Sequence, residues 1–247
     1  MIRPHHGYGM AGFNLFSFRG QIMEAYLRAT EFMEADSPLI REYVAKGIAG
    51  HESDLDRAVA LYYKVRDDIR YNPYSLTLDR EKLKATHTLK QGQGFCVTKA
   101  LLLSACLRCA GIPARLGFAD VRNHLASGRL REIMETDLFV WHGFTEVFLE
   151  GKWVKATPAF NLSMCREFGV HPLEFDGRTD SIFHPFDVQG KQHMEYVGEH
   201  GSFSELPYDE MSHAYQTTYA HCFEALVNDK TLPTPEDYTR EIRADRN

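Results

Sequence analysis

The stretch "CVTKALLLSACLRC", residues 96–109, constrains this chain more than any other. Val97, Ala100, Leu101, Leu103, Ala105 and Leu107 distribute apolar side chains around a helix, so the segment has to be mostly buried. Gly111 and Pro113 mark its end. Gly92 and Gly94 precede it, which sets Cys96 in the first turn. There the unpaired backbone N–H groups and the positive end of the helix dipole favour a thiolate and lower the thiol pKa. The same N–H groups can hold the oxyanion of an acyl-transfer intermediate, and the glycines let a substrate backbone come close. A cysteine at a helix start is equally often a buried spectator, so a partner has to be found elsewhere in the chain.

Upstream, the pattern is helical. Residues 20–34 and 37–49 read as helices, the second with Ser37 as N-cap and Pro38 at its first position. "ESDLDRAVALYYKVRDDIRY" reads as a third, capped by Ser53, with Leu55, Val59, Tyr62, Tyr63 and Val65 facing a core; "NPYS" ends it. After residue 112 the period changes to strands, "PARLGFADV" and "LFVWHGFTEVFLEGKWVKATPAF". "LEGKW" is a hairpin turn joining strands at about 138–149 and 152–157. Helices followed by an antiparallel sheet make an α+β pattern. Further on, "LSMCREFG" reads as a short helix, "PLEFDGRTDSIFHPFD" as a loop-rich stretch and "YDEMSHAYQTTYAHCFEAL" as a helix. The charged last fifteen residues read as a loose tail.

A net charge of −6 among 247 residues argues against nucleic acid or an anionic membrane as partner. No apolar run approaches the ~20 residues that span a bilayer, and the N-terminal residues lack the apolar core of a secretory signal. The expectation is a cytoplasmic protein of one domain, residues 1–247. Its five cysteines, an odd number, suit a reducing compartment. Cys106 and Cys109 form a C-x-x-C inside an apolar helix with no second pair, and read as two small core residues. His171, His184, His193, His200, His213 and His221 match no metal-ligand spacing, so no metal and no cofactor is expected. His184 and Asp187 are placed to line one side of a cleft.

A thiolate nucleophile needs a base, and His142 is the best placed of the twelve histidines, on the strand "FVWHGFTEVFLEGKWVKA". A helix-start cysteine, a strand histidine and a second strand carrying a polar residue together make a triad. "GQGFCVTKALLLSACLRCAGIPAR", followed by "WHGFTEVFLEGKWVKATPAFN", resembles the core of the transglutaminase-like superfamily, which includes transglutaminases and many microbial cysteine proteases. The upstream "RDDIRYNPYS" resembles the segment that precedes the family's cysteine. The resemblance runs from about Asp54 to Asn161, with residues 162–247 as an extension of the same domain. It implies a papain-like fold, the Cys96 helix packed on a sheet carrying His142, with Cys96 as nucleophile and His142 as base.

The sequence departs from the family at the third member. Where the family has aspartate before proline, this chain has Thr157. A threonine hydroxyl can orient an imidazole but carries no charge to stabilise an imidazolium. Asn161 is the other candidate, and it also reads as the cap of the helix beginning at Leu162. Gln93 and Tyr71 are candidate side-chain donors to an oxyanion. The expectation is cysteine-dependent acyl transfer on a peptide or protein amide, with water as acceptor in a peptidase or amidase. A primary amine as acceptor would make a transglutaminase. A peptide-binding module with lapsed catalysis is a third reading, favoured by Thr157. A redox role fails on distance: Cys106 and Cys109 lie ten or more residues down one helix, ~15 Å or more from Cys96.

Overall fold

The computed structural model describes residues 23–124, 126–223 and 233–246. Beyond Ala25 the first expected helix gives way to turns and bends. Thr30 Oγ1 accepts the Met33 N–H at 3.3 Å, and Phe32 and Met33, adjacent in sequence, are both buried. A local side-chain bond and two neighbouring buried residues favour an irregular path over a helix. Helix α1 (Pro38–Gly47) follows, then α2 (Asp54–Asp68), where Ser53 Oγ caps the N–H of Asp56.

The chain then forms β1 (Arg70–Tyr71), a 3-10 turn at Pro73–Ser75, α3 (Arg80–Leu83), α4 (Ala85–Gln91) and β2 (Gln93–Gly94). Strands β1 and β2 pair in parallel, with the N–H groups of Arg70 and Asn72 bonded to the carbonyls of Gly92 and Gly94. This short ladder delivers the chain into α5 (Cys96–Cys109), and Thr98 bonds the Phe95 N–H to close its first turn. The two glycines before Cys96 have internal roles instead of a substrate-facing one. Gly92 ends α4 in the left-handed region, and a Cβ on Gly94 would lie 2.4 Å from Thr98 Oγ1.

Every residue from Val97 to Arg108 is buried. Burial of this helix on all sides follows from its composition: α1, α2 and α4 pack on one flank and the main sheet on the other. Lys99, fully buried, donates to the carbonyls of Arg66 and Ile69 at the end of α2, and Thr145 Oγ1 donates to the Ala100 carbonyl. The polar atoms of the helix are therefore partnered, as burial requires.

The sheet is built from β3 (Ala114–Asn123), then, after α6 (Gly128–Met134), β4 (Leu138–Leu149) and β5 (Lys152–Ala156). Glu150 and Gly151, both at positive φ, turn the β4–β5 hairpin. Helix α7 (Leu162–Phe168) leads to β6 (Met194–Phe203), and the strand order is β5-β4-β3-β6, all antiparallel. The fold is α+β, with the cysteine-bearing helix packed on an antiparallel sheet.

Two elements beyond β6 differ from expectation. The long helix expected from Tyr208 is α8 (Tyr208–Thr218), interrupted at Tyr219, whose phenol inserts toward β4. Residues 224–226 of that expectation lie outside the described residues, as do the first twenty-two residues of the chain. The expected loose tail instead contains α9 (Pro235–Arg246), which buries Tyr238 and Ile242 against the rest of the chain. A tyrosine and an isoleucine four residues apart give this charged segment an apolar edge to dock. Among the described residues, no helix is long and apolar enough to cross a membrane.

Candidate active site

Strand β4 runs alongside α5 closely enough for a Cβ on Gly143 to lie 3.0 Å from the Val97 Cα. Only glycine permits this approach. The backbone N–H groups of Gly143, Val97 and Cys96 itself favour the thiolate of Cys96. The residue before Gly143 is His142. Both Cys96 and His142 line one cavity of about 40 Å³, room for a few water molecules. Tyr71, Phe160, Phe183, Met194, Tyr215 and Tyr219 contribute to its walls, so the surroundings are predominantly apolar.

That enclosure decides the electrostatics. Cys96 retains some exposure toward the cavity, but the dense protein around its sulfur pushes the thiol up to about 11, against the pull of the three N–H groups. The helix start therefore does not yield a low-pKa thiolate, contrary to the sequence expectation: desolvation outweighs the dipole. Burial likewise pushes His142 down to about 4. The resting pair is a neutral thiol and a neutral imidazole. The ring of His142 lies against Phe183, centroids 5.1 Å apart, and its Nε2 has no hydrogen-bond partner among the described residues.

Thr157 follows directly on β5. The ladder pairs Thr145 with Ala156, so continuing it one step sets Thr157 opposite Phe144, on the face that carries His142. Its hydroxyl is buried within reach of the Tyr196 phenol but makes no well-formed hydrogen bond. Asn161 sits at the N-cap position of α7 without capping it. Its Oδ1 accepts the Tyr71 N–H at 3.1 Å and its Nδ2 donates to Ser163 Oγ at 2.6 Å, which commits both ends of the amide away from His142. Gln93 bonds Asn72 and lines a separate hollow with Thr77 and His87. Tyr71 is in the Cys96 cavity, its phenol kept neutral by burial and, next, by proximity to Cys96. His184 stacks edge-on with His171 and lies outside the cavity lining.

Sequence reading misses Tyr196, Tyr215 and Tyr219. In each, burial is the main cause of a raised phenol pKa and ionisation of Cys96 would add to it, and Tyr215 and Tyr219 line the Cys96 cavity. Their only sequence signal is aromatic content in segments far from the cysteine. Asp120, on the strand beside His142, and Trp141, its neighbour in the chain, are also missed.

A family model described as the transglutaminase-like superfamily matches residues 41–158, which include Cys96, His142 and Thr157. No functionally curated protein matches the chain. Among solved structures, a candidate cysteine protease from Cytophaga hutchinsonii is 15% identical with a TM-score of 0.44, over 74% of this chain and 54% of that one. A candidate protease from Parabacteroides distasonis is 12% identical with a TM-score of 0.36, over 55% of this chain and 25% of that one. The chain thus spans about half the length of the first and a quarter of the second.

Proposed function

We propose that this chain, whose residues 41–158 match the family model of the transglutaminase-like superfamily, catalyses cysteine-dependent acyl transfer on an amide, with water as the acceptor. The observation that carries the reading is that Cys96 and His142 line one cavity, with the backbone N–H groups of Gly143 and Val97 favouring the thiolate. His142 takes the proton from Cys96 as the sulfur attacks the amide carbonyl, and backbone N–H groups hold the resulting oxyanion. The C–N bond breaks as the imidazolium returns its proton to the leaving amine, leaving a thioester. Water, deprotonated by His142, then attacks the thioester. The carboxylic acid leaves and the proton returns to the sulfur.

Burial sets the order of events. Burial disfavours both the thiolate and the imidazolium, so proton transfer from Cys96 to His142 is uphill in the closed cavity. Ionisation therefore accompanies substrate entry, when polar groups replace the apolar surroundings. The test is the rate of Cys96 alkylation by iodoacetamide, followed by mass spectrometry from pH 6 to 10, in the native protein and in His142→Ala. Native Cys96 should react slowly at pH 7, speed up with rising pH, and lose at least tenfold without His142. Equal rates in the two proteins would leave no role for a base.

A second reading, a peptide-binding module that no longer turns substrate over, is favoured by Thr157, which gives His142 no charged partner. It expects peptide binding that survives Cys96→Ala and no cleavage by the native protein.

A further inference from the structure

The strand leading into His142 is not regular. Strands β3 and β4 pair from Ala114↔Val147 to Ala119↔His142, then resume at Val121↔Phe139. Two β4 residues, Val140 and Trp141, therefore oppose the single residue Asp120, and Trp141 adopts φ +54°. On the other side, β6 slips twice within three residues of β3: between Phe118↔Gly201 and Ala119↔Glu199, which leaves His200 out of the ladder, and between Asp120↔Gly198 and Val121↔Tyr196, which leaves out Val197. Bulges on both neighbouring strands thus meet at Asp120.

Three backbone groups of the β4 bulge find side-chain partners. Asp120 Oδ1 accepts the Trp141 N–H at 2.9 Å and meets His200 Nε2 at 2.6 Å. The His200 ring stacks on the Trp141 indole, centroids 4.4 Å apart and 8° from parallel. From α8 and the residue after it, Tyr215 donates to the Trp141 carbonyl at 3.4 Å, and the Tyr219 phenol accepts the Val140 N–H at 2.5 Å. A bulky residue in the left-handed region is strained and persists only where its surroundings over-determine it.

The bulge has a direct consequence for the cavity. In an unbroken strand, Phe139 and Val140 would point to opposite faces, and a one-residue slip would turn every side chain beyond it over. Here Phe139, Val140 and His142 all line the same cavity as Cys96. Bulges re-aim side chains in this way.

We infer that Asp120 is the positioning residue for His142: its carboxylate, backed by His200, locks the Trp141 bulge and so fixes the face and angle of the imidazole. The orientation that Thr157 does not supply through a charged contact comes from the strand before the histidine. This rests on the acyl-transfer reading only where rates are concerned; the placement of the ring is a separate matter.

The experiment therefore has two readouts. NMR of the His142 imidazole reports its placement, and iodoacetamide labelling of Cys96 at pH 8 reports its effect, in the native protein, Asp120→Ala, Asp120→Asn and His142→Ala. Asp120→Ala should broaden or split the His142 ring signals and slow labelling about tenfold. Asp120→Asn, whose amide oxygen still accepts the Trp141 N–H, should restore one ring signal and a rate within about threefold of native. If Asp120→Ala fails to fold, His200→Ala, which keeps the bond to Trp141 but removes its backing, should give a partial loss by both readouts. Native ring signals and labelling in Asp120→Ala, or in His200→Ala where that variant stands in, overturn the inference. Disturbed ring signals in Asp120→Ala with labelling that His142→Ala does not change would instead sustain the positioning and defeat the acyl-transfer reading.

Discussion

A buried neutral histidine ties the stability of this fold to acid. His142 titrates near 4 in the folded chain and near 6.5 when unfolded. Between those values the unfolded chain binds more protons, so stability is complete above about 6.5 and is lost as pH falls toward 4. The loss amounts to roughly 3 kcal/mol at about 1.4 kcal/mol per pH unit. Urea unfolding at pH 6.5, 5.5 and 4.5 should show this decline, and His142→Gln should flatten it; parallel slopes in the two proteins would contradict the burial assigned to the ring. Residue by residue, the site is unevenly legible in sequence. Cys96 announces itself through the helix that follows it, and His142 through its strand. Asp120 does not, because a carboxylate on a strand reads as a solvated side chain until the bulges of two neighbouring strands are known. Asn161 reads as a helix cap, yet its amide crosses to the Tyr71 backbone, a contact ninety residues away in the chain and invisible to any local rule.

Elements are legible in proportion to how local their determinants are. Ser53 caps α2, the buried helix α5 follows its apolar composition, and Glu150-Gly151 turns the β4–β5 hairpin, all as short-range chemistry dictates. The break at Tyr219 is different. The helical pattern continues through it, and the Tyr219 phenol at the break accepts the Val140 N–H, a tertiary contact. The contact between β4 and α5 is also tertiary, and it is the tightest point of the site. Gly143→Ala would push a methyl against the Val97 Cα and Cγ2, at 3.0 and 3.1 Å. Backbone cannot yield as a side-chain end can, so the variant should lose about 1–3 kcal/mol in denaturant unfolding. Its Cys96 should also label at a changed rate, since the Gly143 N–H moves from the sulfur. A variant as stable as native would mean that the strand and helix have room to spare.

At the scale of the whole molecule, the last helix is part of the core. Tyr238 of α9 packs edge-on with Tyr74 and Phe168, and Glu241 accepts hydrogen bonds from Tyr74 and Ser127. Tyr238→Ala should therefore cost about 3–5 kcal/mol, read as a lower urea midpoint with an unchanged slope; a cost under 1 kcal/mol would return α9 to the status of a tail. Charge dominates the composition of this segment, which is why its docking was not legible. The order of strands carries a consequence for how the site comes into being. Cys96 and His142 are both present once the β4–β5 hairpin has been made, but β6, which pairs with β3 from Asn123↔Met194, and Tyr215 and Tyr219 arrive much later in synthesis. In a chain made from its N-terminus, the cavity walls supplied by Met194, Tyr215 and Tyr219 are therefore the last to become available to Cys96.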